Sequence, residues 1–175
     1  PVSHHGISGA AIKHPGITFT NAFSDSLLEA AEKDSTVVAI TAAMPDGTGL
    51  TKFAEKYPGR FFDVGIAEQH AVAFAAGLAF GGTKPVVAVY SSFMQRCYDQ
   101  VIHDVALQNA PVLFAMDRAG VVGADGPTHH GIFDISMFLS IPQLSLAAPR
   151  DCTVLKKLVS SVLSDLSGPT GIRYP

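Results

Sequence analysis

Three short stretches hold residues whose types and spacing suit chemistry. In the first, Gly65-Ile66-Ala67-Glu68-Gln69-His70-Ala71-Val72, one carboxylate stands at the start of a predicted helix. A carboxylate there can serve only the helix dipole, at roughly 0.3–1 kcal/mol. The small and apolar neighbours of Glu68 argue for more, because they leave the acid few competing charges and little water. Such a setting suits proton exchange with a ring nitrogen. His70 lies two residues further on, points away from Glu68, and reads as a buried, hydrogen-bonded packing residue.

The second stretch is Tyr90-Ser-Ser-Phe93-Met-Gln-Arg96, whose Tyr90, Phe93 and Arg96 are spaced to share one face. Aromatic rings beside a guanidinium make a platform for a planar heterocycle and an anionic substrate, although core aromatics and a solvated arginine would look the same. The third runs from Asp117 to Gly131 and contains Arg118, Asp125 and the pair His129-His130. Loops this long inside a compact domain are usually functional or disordered. Asp125-Gly-Pro is also an ordinary turn signal. Adjacent histidines diverge and no Cys or Glu lies near them, so no metal site is expected in this chain.

Several chemistries are absent from the pattern. The chain has no GxxxxGK[ST] and no GxGxxG after a strand, which removes the common phosphate cradles. It has no GxSxG elbow. Neither Cys97 nor Cys152 has a base beside it, which disfavours a thiol nucleophile.

The elements that position these stretches alternate regularly. A helix is predicted over Phe19 to Glu32, capped by Thr20 or Asn21, and a buried strand over Thr36 to Thr41. A Gly-rich loop, Met44 to Gly49, leads to a short helix ending at Pro58-Gly59. Strands are then expected at Arg60 to Val64, Pro85 to Tyr90, Val112 to Met116, Gln143 to Leu146 and Thr170 to Arg173. Helices are expected from Ala67 to about Phe80, Phe93 to Gln108, near Ile135, and from Asp151 to Leu166. This order predicts a three-layer α/β/α domain with a mostly parallel sheet. Ligands bind such sheets beyond the carboxyl ends of the strands, where all three stretches fall.

Composition sets the remaining bounds. The 175 residues suffice for one domain, and only 15% are charged where about 25% is usual, so other domains or subunits are expected to cover much of the surface. A net charge of -3 without a basic cluster argues against nucleic acid or anionic membrane as partner. No apolar run reaches the ~20 residues that span a bilayer. Two distant cysteines fit a reduced compartment. Residues 1–17, rich in Gly, His and Pro, read as a linker or a segment foreign to the domain, with the domain proper over 18–175; starting at Pro1, the chain reads as a piece of a longer protein.

Phe62 to Val72, Tyr90 to Val105 and Met116 to His129, in that order, closely resemble the 1-deoxy-D-xylulose-5-phosphate synthases, from about Thr18 to Pro175. The resemblance implies the thiamine-diphosphate-binding fold and, within it, the pyrimidine-binding domain of a three-domain chain. It implies an enzyme that condenses pyruvate with D-glyceraldehyde 3-phosphate, with loss of CO2, for isoprenoid synthesis. Glu68 would then hydrogen-bond N1′ of the aminopyrimidine and favour its imino tautomer. Phe93 would stack on that ring, with Ile66 beside it. Tyr90, Arg96, Asp125 and His129 would line the substrate pocket, Arg96 and His129 with catalytic roles, and Arg118 and Arg173 would clamp the acceptor's phosphate.

The same resemblance implies Mg2+ and a Gly-Asp-Gly…Asn segment that holds the diphosphate. The Asp-Gly pairs at Asp46 and Asp125 lack the following Asn, so this half of the site is expected in a domain absent from the chain. The isolated domain is then expected to bind cofactor weakly and not to turn over. A homodimer, and a plastid stroma or bacterial cytoplasm, complete what the resemblance implies. Another transketolase-group enzyme and a non-catalytic relic of the fold are the alternatives.

Overall fold

The computed structural model describes residues 16–175. The expected linker lies almost wholly outside them. Six strands form one sheet: β1 (Val37–Thr41), β2 (Phe61–Asp63), β3 (Lys84–Tyr90), β4 (Leu113–Asp117), β5 (Ser145–Ala147) and β6 (Thr170–Arg173). Their order is β2-β1-β3-β4-β6-β5 and every pairing is parallel. The central strands β1 and β4 are buried at every residue, as near-continuous apolar runs in a parallel sheet must be.

Alternation along these strands divides the interior into two cores. Ala39, Val86, Ala88, Leu113 and Ala115 face α1 (Phe19–Lys33), α2 (Thr51–Lys56) and α6 (Cys152–Ser164). Ile40, Val87, Val89, Phe114 and Met116 face α3 (Glu68–Phe80), the segment that follows β3, and α5 (Asp134–Leu139). The three layers are therefore as expected.

Two local readings need correction. Thr18, not Thr20 or Asn21, caps α1, its side chain accepting from Asn21 N–H at 3.1 Å. Thr20 is inside the helix and is used elsewhere. The expected helix from Phe93 to Gln108 is instead a 3₁₀ segment at Ser91–Cys97, one α turn, α4 (Tyr98–Gln100), and a π segment at Val101–Ala106. The buried side chains record the change of winding. Met94 and Cys97 are three apart, Cys97, Val101 and Val105 four apart, and Val105 and Ala110 five apart. In the π part, Leu107 N–H donates to Ile102 O and Ala110 N–H to Val105 O.

The strand order reverses between β1 and β3: from β1 the chain steps outward to β2, then returns past β1 to β3. At such a switch point the loops leaving neighbouring strands part and open a crevice. Here those loops are Ala42–Leu50 after β1 and Ser91–Cys97 after β3.

Candidate functional site

Glu68 is the first residue of α3 and is 3% exposed. Asp63, at the end of β2, ties the approach to it, accepting from Ala43 N–H at 2.8 Å and Gly65 N–H at 3.0 Å. The expectation of few competing charges is wrong. Arg96 Nε lies 2.7 Å from Glu68 Oε2, brought there from 28 positions along the chain by the 3₁₀ segment. Its N–H is not aligned on that oxygen, and Oε2, fully buried, receives no hydrogen bond. His70 is also corrected: it is exposed and stacks on Phe74 with ring centroids 5.9 Å apart.

The 3₁₀ winding has three residues per turn, so side chains at i and i+3 eclipse. Tyr90, Phe93 and Arg96 are therefore aligned, and the rings of Tyr90 and Phe93 stack at 5.7 Å. His129 meets Phe93 edge-on at 5.3 Å and Tyr90 at 6.4 Å; its Nδ1 is 2.9 Å from Thr128 Oγ1. On the far side of Tyr90 the Arg118 guanidinium lies 3.9 Å from the ring centroid, a cation–π contact. Burial pushes the Tyr90 phenol above its ordinary value.

Arg118 is the hub of the third stretch. Its Nε is 3.2 Å from Asp125 Oδ2 and its Nη1 donates to Gly47 O at 2.8 Å. Gly47 is needed for space, since a Cβ there would overlap the Tyr90 hydroxyl. Arg118 has φ 57°, a left-handed conformation that strains any residue but glycine. Asp117, buried at the end of β4, holds it there: Oδ1 accepts from Arg118 N–H at 2.8 Å, and Oδ2 accepts from Thr20 Oγ1 at 2.8 Å. Loss of water pushes the Asp117 carboxyl up to about 6, against the hydrogen bond from Thr20 and the charge of Arg118.

The structure thus gathers Glu68, Tyr90, Phe93, Arg96, Arg118, Asp125 and His129 at one edge of the sheet. Ile66 lies in the loop before α3 and is 75% exposed. Arg173 ends β6 and bonds Asp134, as described below. Sequence reasoning placed Asp117 at the strand edge without a role and passed over Gly47 and Asp134. An acid closing an otherwise apolar strand was the signal available for Asp117. A polar hollow of about 200 Å³ lined by Asn109, Gln143, Ser145 and Thr170 lies elsewhere, at the amino ends of β5 and β6. Among the described residues no three His, Cys, Asp or Glu side chains converge on a metal position, and no helix is long and apolar enough to cross a membrane.

Residues 15–175 match the family model described as transketolase, pyrimidine binding domain. The chain belongs to that family. It is 55% identical over 181 residues to the 1-deoxy-D-xylulose-5-phosphate synthase of Carboxydothermus hydrogenoformans, covering 100% of this chain and 29% of that protein. It is 58% identical to 1-deoxy-D-xylulose-5-phosphate synthase 1 of Geobacter sulfurreducens, over 90% of this chain and 25% of the relative. The chain therefore spans between a quarter and a third of these relatives. A split-gene transketolase, solved as an inactive β4 tetramer, superposes with TM-score 0.79 at 27% identity, over 90% of this chain and 51% of that one. The transketolase of Leishmania mexicana superposes with TM-score 0.79 at 19% identity, over 88% of this chain and 24% of that one, a likeness of fold.

Proposed function

We propose that this chain is the pyrimidine-binding part of a 1-deoxy-D-xylulose-5-phosphate synthase. The observation that carries the reading is the buried Glu68 carboxylate, whose Oε2 is paired with Arg96 but receives no aligned hydrogen bond, at the carboxyl edge of a transketolase-type sheet. Identity of 55% over the whole chain to a synthase of that name supports the choice of reaction. The two transketolases above are 27% and 19% identical, so nothing favours that activity over the synthase.

The residues present fit an aminopyrimidine ring. A buried acceptor without a donor costs about 1–3 kcal/mol, and a protonated ring nitrogen would supply what Oε2 lacks. Thiamine diphosphate, when bound, supplies the nucleophilic carbon and the electron sink that decarboxylation of a 2-oxo acid needs. Glu68 holds the proton at the ring nitrogen, and Arg96 balances its charge from 2.7 Å. Phe93, half-buried and braced by Tyr90 and His129, offers a flat apolar face to the ring, with Ile66 beside it. Tyr90, Arg96, Asp125 and His129 line the pocket for pyruvate and the acceptor. Arg118 and Arg173 take the phosphate of D-glyceraldehyde 3-phosphate. Mg2+ and the diphosphate belong to a domain outside this chain, and the working protein is a homodimer in a bacterial cytoplasm or plastid stroma.

The test is turnover by the full-length protein with pyruvate and D-glyceraldehyde 3-phosphate, scored as CO2 and 1-deoxy-D-xylulose 5-phosphate. Glu68→Gln is expected to lower kcat by about 10²-fold or more, the usual worth of a proton-transfer group. A variant that stays within a few-fold of wild type would overturn the assignment of Glu68.

A further inference from the structure

Arg118 and Arg173 stand at the same edge of the sheet: Arg173 is the last residue of β6 and pairs in register with Met116, two residues before Arg118. They are held differently. Arg118 has given Nε to Asp125 and Nη1 to Gly47 O, and its plane lies over Tyr90. Arg173 gives only Nε, to Asp134 Oδ2 at 2.7 Å. Its terminal nitrogens make no hydrogen bond to another described residue, and its side chain is 19% exposed.

Asp134 itself is fixed. It is the first residue of α5, its side chain is 0% exposed, and its Oδ1 accepts from Ile135 N–H at 2.8 Å. Phe138, one turn further, is buried against Phe114 and anchors the helix to the core. Stability does not account for such a pair, because desolvating both charges offsets most of their attraction. Geometry does. A guanidinium offers flat edges, and with the Nε edge taken the pair of terminal nitrogens remains, the fork that matches two oxygens of a phosphate.

We propose that Asp134 is the positioning residue for Arg173, holding its Nε edge so that the two terminal nitrogens receive the phosphate dianion of the aldehyde acceptor. The proposal rests on the synthase reading above. Asp134 touches no substrate and acts only through Arg173.

The experiment uses the full-length enzyme with two acceptors, D-glyceraldehyde 3-phosphate and unphosphorylated D-glyceraldehyde, and compares wild type, Asp134→Asn, Arg173→Ala and the double variant. Asp134→Asn is expected to lower kcat/KM for the phosphorylated acceptor about tenfold, the worth of one misplaced charge-assisted hydrogen bond. The loss should fall mainly in KM for that acceptor, far exceed any loss with D-glyceraldehyde, spare KM for pyruvate, and add nothing to Arg173→Ala. Binding of inorganic phosphate, read by calorimetric titration, should weaken in the same two single variants. If Arg173→Ala keeps the preference for the phosphorylated acceptor, the phosphate assignment of Arg173 falls and takes the proposal with it. If Arg173→Ala loses that preference while Asp134→Asn keeps it, or if Asp134→Asn depresses both acceptors alike, the positioning role alone is overturned. If wild type does not turn over, the synthase reading fails, and phosphate binding decides the role of Asp134. Should Asp134→Asn not fold, Asp134→Ser, which still accepts from Ile135 N–H, carries the same comparison.

Discussion

Asp117 gives the sharpest prediction about the fold that carries the site. Its carboxyl is buried and pushed from the ordinary 3.8 up to about 6 by loss of water, against the pull of Thr20 and Arg118. In the unfolded chain the group ionises near 3.8, so between that value and about 6 the native state holds more protons than the unfolded one. Stability from this group is therefore full below 3.8 and lost as pH rises through about 6. A rise of about two pH units at about 1.36 kcal/mol each comes to roughly 3 kcal/mol. Asp117→Asn removes the titration and keeps the shape. It also gives up one of two accepted hydrogen bonds, those from Thr20 Oγ1 and Arg118 N–H, at about 1 kcal/mol. The variant is thus about 1 kcal/mol less stable than wild type near pH 4 and about 2 kcal/mol more stable near pH 7.5. Urea denaturation of the two proteins across that range measures the crossing directly. A stability difference that stays flat from about pH 4 to about pH 7.5 refutes the reasoning, because no other titrating group differs between the two chains.

Two further outcomes follow from local geometry. Gly47→Ala puts a methyl group onto the Tyr90 hydroxyl, so it should cost about 1–3 kcal/mol by thermal denaturation and reduce turnover of the full-length enzyme; unchanged stability and activity would show that the Tyr90 ring is not held against this loop. Burial, reinforced by the charge of Glu68, pushes the Cys97 thiol up to about 12, while Cys152 is only half-buried. Iodoacetamide at mildly alkaline pH should therefore label Cys152 and spare Cys97 in the native protein, and equal labelling by mass spectrometry would contradict the packing around Cys97.

Much of the fold was legible because a parallel sheet writes its strands as short apolar runs. β1, β3, β4 and β6 fall within a residue or two of where the sequence puts them. The stretch after β3 was not legible, because its winding passes from 3₁₀ through α to π while apolar residues recur at three, four and then five positions. A single helical period averages these into an ordinary helix. The site shows the same division. Tyr90, Phe93 and Arg96 could be grouped because i and i+3 lie on one face in both windings. The ion pair of Glu68 with Arg96, and the bonds from Thr20 to Asp117 and from Arg173 to Asp134, join residues 28, 97 and 39 positions apart. No local pattern encodes them. Only the strand order brings them together.

The surface of α3 bears on the same reading. α3 carries Glu68, Gln69 and His70 in its first turn and from Ala71 on is apolar on every side: Ala71, Val72, Ala75, Ala76 and Ala79 are buried, while Ala73, Gly77 and Phe80 face outward. A helix with no polar face is ordinarily buried. Ile66, Phe80, Leu107 and Leu139 are likewise exposed large apolar side chains. The buried Oε2 of Glu68 poses the same problem in polar form, since it is removed from water with Arg96 Nε close by but no aligned hydrogen bond. On the synthase reading proposed above, one premise answers both: a surface outside this chain would cover α3 and the bound cofactor would bring the donor to Glu68. A chain spanning 29% of the Carboxydothermus relative leaves ample protein for that role. On the synthase reading the donor is the cofactor's ring nitrogen, so Glu68 should be silent in the isolated domain and decisive in the full-length enzyme.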